Sequence, residues 1–233
     1  ILAFERPATP TSYHPGPWQA VRAKPGVDIL AELIIPPSYR HEKARRILVA
    51  HTIATLLRLW TDPKIARLVM APCSMAKLKE SKPSPTGGEL VAALTPLRDR
   101  HVQLGLINED NIIPSIQWVV EHWQDAVDLR VSSTEFDFAL ETFENAQFIP
   151  NTAMMLVSIW GALEAIFAPH KQELTFRVPS MLAAYLAPRG QQRADKQKEI
   201  LRLYGARSAA AHGSPKHGPE DLVATFTLLR MAI

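Results

Sequence analysis

From about residue 39 onward, apolar positions recur every three to four residues, in runs that proline or glycine repeatedly closes. That spacing belongs to amphipathic helices and predicts a mainly α-helical chain. Over residues 39–60, Ile47, Leu48, Ile53, Leu56, Leu57 and Trp60 keep to one face. Residues 111–130 do the same, with Ile116, Val119, Val120, Trp123 and Val127 inward. Ser132 followed by Glu135 then fits a capping box, in which each side chain satisfies an orphan backbone N–H at a helix start. A domain boundary is therefore expected near residue 131, with an N-terminal domain of unknown function over 1–131 and a helical bundle over 132–233.

Five helices are predicted beyond that boundary. The first, residues 133–148, has Phe136, Leu140 and Phe143 on one side and ends before Pro150. Residues 152–167 carry Leu156, Ile159, Trp160, Leu163 and Phe167 at i, i+3, i+4, i+7 and i+11, a continuous stripe. Residues 176–186 stop before Pro188, and residues 194–211 meet Gly213 and Pro215, a strong stop. The last helix opens with Pro219, Glu220 and Asp221, which suit a helix N-terminus, and points Leu222, Phe226, Leu229 and Ile233 inward. Short connections between five helices read as an up-down bundle. By contrast, residues 1–37 are too rich in proline for long helices. They leave room for one strand at 27–35, ended by Pro36 and Pro37, and residues 80–88 read as a loop.

Composition narrows the functional classes. An apolar content of 47% with 21% charged residues is that of a globular protein with a core. A single cysteine, Cys73, allows no internal disulfide, and no Cys/His cluster has metal-ligand spacing. The expectation is a cytoplasmic protein without metal or other cofactor. The longest apolar run, residues 152–167, is interrupted by Glu164 and is short for a bilayer span, so no membrane partner is expected. The net charge of +3 is too small to imply nucleic acid. Its distribution is more informative, because Arg189, Arg193, Lys196, Lys198, Arg202, Arg207 and Lys216 face only Asp195 and Glu199. A second concentration comprises Arg40, Lys43, Arg45, Arg46, Arg58, Lys64 and Arg67, opposed by Glu42 and Asp62. Either group can hold phosphates or form a solvated helix face.

One helix carries an oddity. Ile200, Tyr204, Arg207 and Ala211 share a face, and a charge on a packed face is costly unless it is paired. Glu164, between Trp160 and Phe167 on the apolar stripe, offers the partner, and an ion pair there would fix the direction of the guanidinium. His212 follows five residues after Arg207, about 140° round the helix, at an end that Gly213 and Pro215 leave free to fray. A two-fold dimer is a route by which such pairs come together. Spacing alone carries no weight, since Arg45 and Arg46 stand at matching distance from His51 inside a helix with no break after it.

The stretch from Leu203 to Gly213, Leu-Tyr-Gly-Ala-Arg-Ser-Ala-Ala-Ala-His-Gly, resembles the LYxxRSxxxHG signature of the Apea-like branch of HEPN domains. Trp160 to Phe167 is similar to that family's alEalf helix, and Phe176-Arg177-Val178-Pro179 stands where the family has its third helix. The resemblance covers about residues 132–233. It implies a homodimeric helical bundle that acts on RNA as a metal-independent endoribonuclease, with Arg-x4-6-His motifs of two chains lining one cleft. Carried over, His212 is general base or acid at the ribose 2′-OH and the leaving oxygen, and Arg207 stabilises the charge on the phosphorane. Ser208 orients phosphate or histidine. Glu164 anchors Arg207, while Tyr204 and Trp160 belong to the core. Lys216, His217 and Arg202 are candidate RNA contacts. The biology implied by analogy is phage defence or toxin-type growth arrest. Two alternatives stand beside it: a non-catalytic dimerisation or RNA-binding module, and a helical partner of a nucleotidyltransferase.

Overall fold

The computed structural model describes residues 3–5, 19–21, 32–35, 43–65, 67, 69–70, 74, 93–94, 100–102, 104–106, 112–168, 173–214 and 216–233. The chain forms two compact units, Ile1–Pro36 with Ala66–Leu97, and Pro37–Ile65 with Arg98–Ile233. In the first, β1 (Ala3–Glu5) pairs antiparallel with β2 (Gln19–Val21), and β3 (Val69–Met70) with β4 (Ala93–Leu94). The strand expected at 27–35 does not extend over residues 32–35, which are not in strand conformation; residues 27–31 and the loop at 80–88 lie outside the described residues.

The second unit is helical. Its elements among the described residues are α1 (Lys43–Trp60), α2 (Ile113–Ser132), α3 (Thr134–Ala146), α4 (Thr152–Phe167), α5 (Leu174–Leu186), α6 (Gln191–Ala211) and α7 (Pro219–Ala232). Helix α4 is its centre. Met155, Leu156, Ile159, Trp160, Ala162, Leu163 and Phe167 are buried on it, and α3, α5, α6 and α7 all pack against it.

The division expected at residue 131 falls elsewhere, for a physical reason. Leu56 and Leu59 of α1 and Val119 and Ala126 of α2 belong to the same buried cluster as Phe143, Trp160 and Leu229. Polar bonds reinforce that union. Glu144 of α3 takes Thr55 Oγ1 at 2.5 Å and Arg58 Nη1 at 2.8 Å, and Arg130 at the end of α2 meets Asp137 of α3 at 2.5 Å. Trp60 also lies 4.5 Å from Trp118 of α2, which stacks on His122 at 4.4 Å.

Three further expectations need correction. The cap of α3 is Ser133, whose backbone is extended and whose hydroxyl accepts the Phe136 N–H at 3.2 Å. Ser132 is still helical and donates to the Asp128 carbonyl, so no Ser132–Glu135 capping box forms. On α2 the buried stripe runs through Ser115, Val119, Ala126 and Val127; Ile116 and Val120 face outward, since Val120 stands about 100° round from Val119. Ile47 and Ala211 are likewise exposed.

Candidate functional site

Helices α4 and α6 build the site from two short periodic pairs. Trp160 and Glu164 are one turn apart on α4, and Tyr204 and Arg207 nearly one turn apart on α6, so each pair presents neighbouring side chains to the other helix. Trp160 is fully buried and meets the Tyr204 ring edge-on at 5.1 Å. The Tyr204 hydroxyl donates to Glu164 Oε1 at 3.0 Å. Arg207 Nη2 straddles the same carboxylate, 3.0 Å from Oε1 and 3.2 Å from Oε2, and the guanidinium carbon lies 5.5 Å from the Tyr204 ring centre. The expected Glu164–Arg207 pair is therefore formed.

Burial sets the electrostatics. The Glu164 and Arg207 side chains are 16% and 23% exposed, shielded enough for each charge to need the other. Burial first, and then the hydrogen bond to Glu164, push the Tyr204 hydroxyl up to about 12, so it remains a donor. Arg207 Nε is buried without a partner, and Nη1 makes no hydrogen bond among the described residues. One edge of the guanidinium is thus held by α4 while another is uncommitted. Tyr204 is expected as a core side chain supporting the site; its particular hydrogen bond to Glu164 is not legible in the sequence, although its position one turn before Arg207 is the available signal.

His212 is the C-cap of α6. Its end is tied rather than frayed. The N–H groups of His212, Gly213 and Ser214 donate to the carbonyls of Ser208, Ala210 and Ala209 at 3.2, 3.2 and 3.0 Å. The last two are the crossed bonds of a Schellman motif, with Gly213 at φ 77° in the left-handed region that glycine adopts at little cost. The imidazole itself is exposed and makes no hydrogen bond among the described residues. Nor does any joins it to Arg207, whose guanidinium is turned to Glu164 on α4. Ser208 precedes His212 by one turn and is half-buried.

The remaining candidates have different situations. Arg202 Nη1 meets Asp221 Oδ1 at 2.7 Å, and Asp221 Oδ2 also accepts the Gly218 N–H that opens α7. His217 Nε2 is 3.0 Å from Thr152 Oγ1. Lys216 is exposed and forms no ion pair among the described residues. Within the basic stripe, Lys196 pairs with Glu199, Lys198 lies 3.9 Å from Asp195, and Arg193 donates to the Ala187 carbonyl. In the second basic group, Arg58 is committed to Glu144; Arg40 and the side chains of Lys43 and Arg45 lie outside the described residues.

The Asp221 clamp has a testable pH signature. The Arg202 hydrogen bond lowers the Asp221 carboxyl below its usual range, outweighing the opposite effect of burial, and the Gly218 N–H adds to it. A depressed folded-state pKa contributes stability above the unfolded value, near 3.9, and loses it as pH falls through the folded value. Asp221→Asn is expected to cost about 1 kcal/mol at neutral pH, the modest figure reflecting a largely solvated Arg202. Urea unfolding across pH should show that difference shrinking below about pH 4.

No family model, curated protein or solved structure matches the chain. No group of three His, Cys, Asp or Glu side chains among the described residues is placed to hold a metal ion. No helix among them is long and apolar enough to cross a membrane.

Proposed function

We propose that this chain is a HEPN-type, metal-independent endoribonuclease that works as a homodimer, with Arg207 and His212 of two copies lining one cleft. The observation that carries the reading is a guanidinium fixed by Glu164 and Tyr204, with Nη1 unbonded, on the helix that ends in an exposed, backbone-tethered histidine. In this reaction an imidazole removes the proton from the ribose 2′-OH as its oxygen bonds to phosphorus. The bond from phosphorus to the 5′-oxygen breaks, and that oxygen takes a proton from an imidazolium. Arg207 offers its free edge to the phosphorane oxygens, where charge builds up. RNA is the substrate and the cytoplasm the setting that this reading carries with it, in phage defence or toxin-type growth arrest.

The second reading is a non-catalytic dimerisation or RNA-binding module. It is favoured by one feature: among the described residues no third group is hydrogen-bonded to the His212 ring, whereas catalytic bases are usually held by one. Incubating the purified chain with RNA in EDTA separates the two. Undiminished cleavage leaving 2′,3′-cyclic phosphate ends is the expected result; loss of cleavage on adding the chelator counts against the nuclease described here.

A further inference from the structure

The segment from His212 to Gly218 carries the chain from α6 into α7, and it is fastened at both ends. At its start, the Schellman bonds hold Gly213 and Ser214 to the last turn of α6. At its close, the Gly218 N–H is bonded to Asp221, itself clamped by Arg202 of α6. Between these lies a third fastening, to a different helix: His217 Nε2 against Oγ1 of Thr152, the first residue of α4. The His217 ring is half-buried, and its Nδ1 is sealed from solvent without a partner. A ring packed in this way gives up one hydrogen-bonding site to keep its place, which a solvated loop histidine has no cause to do. His212 and Lys216, by contrast, stand exposed within the same segment.

We infer that His217 is a positioning residue. Docked on Thr152, it ties residues 216–218 to the first residue of α4, and so holds His212 in register with the Arg207 that α4 anchors through Glu164. The inference rests on the nuclease reading above and deepens it. It also reassigns His217 from a direct RNA contact to a support.

Thr152 is the discriminating position. The N-cap of α4 is Asn151, which accepts the Met154 N–H at 3.0 Å, so Thr152→Val removes the hydroxyl without removing the cap. A histidine that touched RNA would be indifferent to that change. His217→Ala and Thr152→Val are each expected to lower kcat by about tenfold or more, because small misplacements of a reacting group are costly, with KM nearly unchanged. The double variant should be no worse than either single one, and His217→Gln, whose amide nitrogen can occupy the place of Nε2, should recover most of the rate. Wild-type cleavage by Thr152→Val, or a rise in KM alone for His217→Ala, overturns the inference.

Hydrogen–deuterium exchange keeps this test apart from the nuclease question. Even if the wild-type chain cut no RNA, His217→Ala and Thr152→Val should each speed exchange at the Gly213, Ser214 and Gly218 amides by about tenfold, with His217→Gln restoring protection. Unchanged exchange in both variants would refute the docking role outright.

Discussion

Replacing His212 with alanine is expected to lower RNA cleavage by about 10²–10⁴-fold, the usual contribution of a positioned acid or base, while leaving the melting temperature where it was. The two halves of that result have separate causes. Stability is spared because the imidazole is exposed and bonded to nothing among the described residues. The cap of α6 depends on backbone bonds to Ser208, Ala209 and Ala210, and φ −95° with ψ 16° at position 212 suits alanine as well as histidine. Activity is lost because both proton transfers are assigned to the imidazole itself. Arg207→Lys makes the complementary test. Lysine keeps the charge but cannot both straddle Glu164 and present a second edge to phosphate, so cleavage should fall with little loss of fold. A His212→Ala protein that cleaves RNA at the wild-type rate would remove the imidazole from the chemistry and overturn the Arg207–His212 mechanism.

Legibility followed burial. Helix α4 was bounded correctly from the sequence, because its stripe is buried almost without exception and proline follows it. The stop after His212 was equally plain, since Gly213 takes up the left-handed conformation that such stops require. Glu164 and Arg207 were matched as odd charges on two otherwise packed faces, which is a signal that a burial cost creates. Where one face is not deeply buried, the period misleads. On α2 the apolar Ile116 and Val120 look inward by composition but lie to one side of the stripe that packs. Contacts between distant segments that do not interrupt a packed face leave no such trace. Arg202 with Asp221, 19 residues apart, and His217 with Thr152, 65 apart, required coordinates, as did the joining of α1 and α2 to the later helices. The buried Arg230, which gives both Nη groups to the Gly105 carbonyl at 3.3 and 3.2 Å, is of the same kind.

Glu164→Ala is expected to cost about 2–3 kcal/mol of unfolding free energy, towards the lower end for a broken buried pair because both side chains keep some contact with water. Two groups are stranded at once. Arg207 loses the carboxylate that balances its charge, and the Tyr204 hydroxyl loses its acceptor beneath the same guanidinium. Glu164→Gln separates these terms, for its carbonyl still accepts from Tyr204 while the charge is gone; a loss of about half the alanine effect is anticipated. Removing both charges together, as Glu164→Leu with Arg207→Met, should restore most of the stability, since an apolar pair of similar volume suits a site roofed by Trp160 and Tyr204. Cleavage should not return with it. Chemical denaturation and an RNA assay on the same four proteins therefore ask whether Glu164 serves only to balance a buried charge or to aim one at phosphate. Recovery of both stability and cleavage in the apolar pair would exclude Arg207 from the chemistry. Recovery of stability alone is the outcome that a guanidinium held for the phosphorane requires.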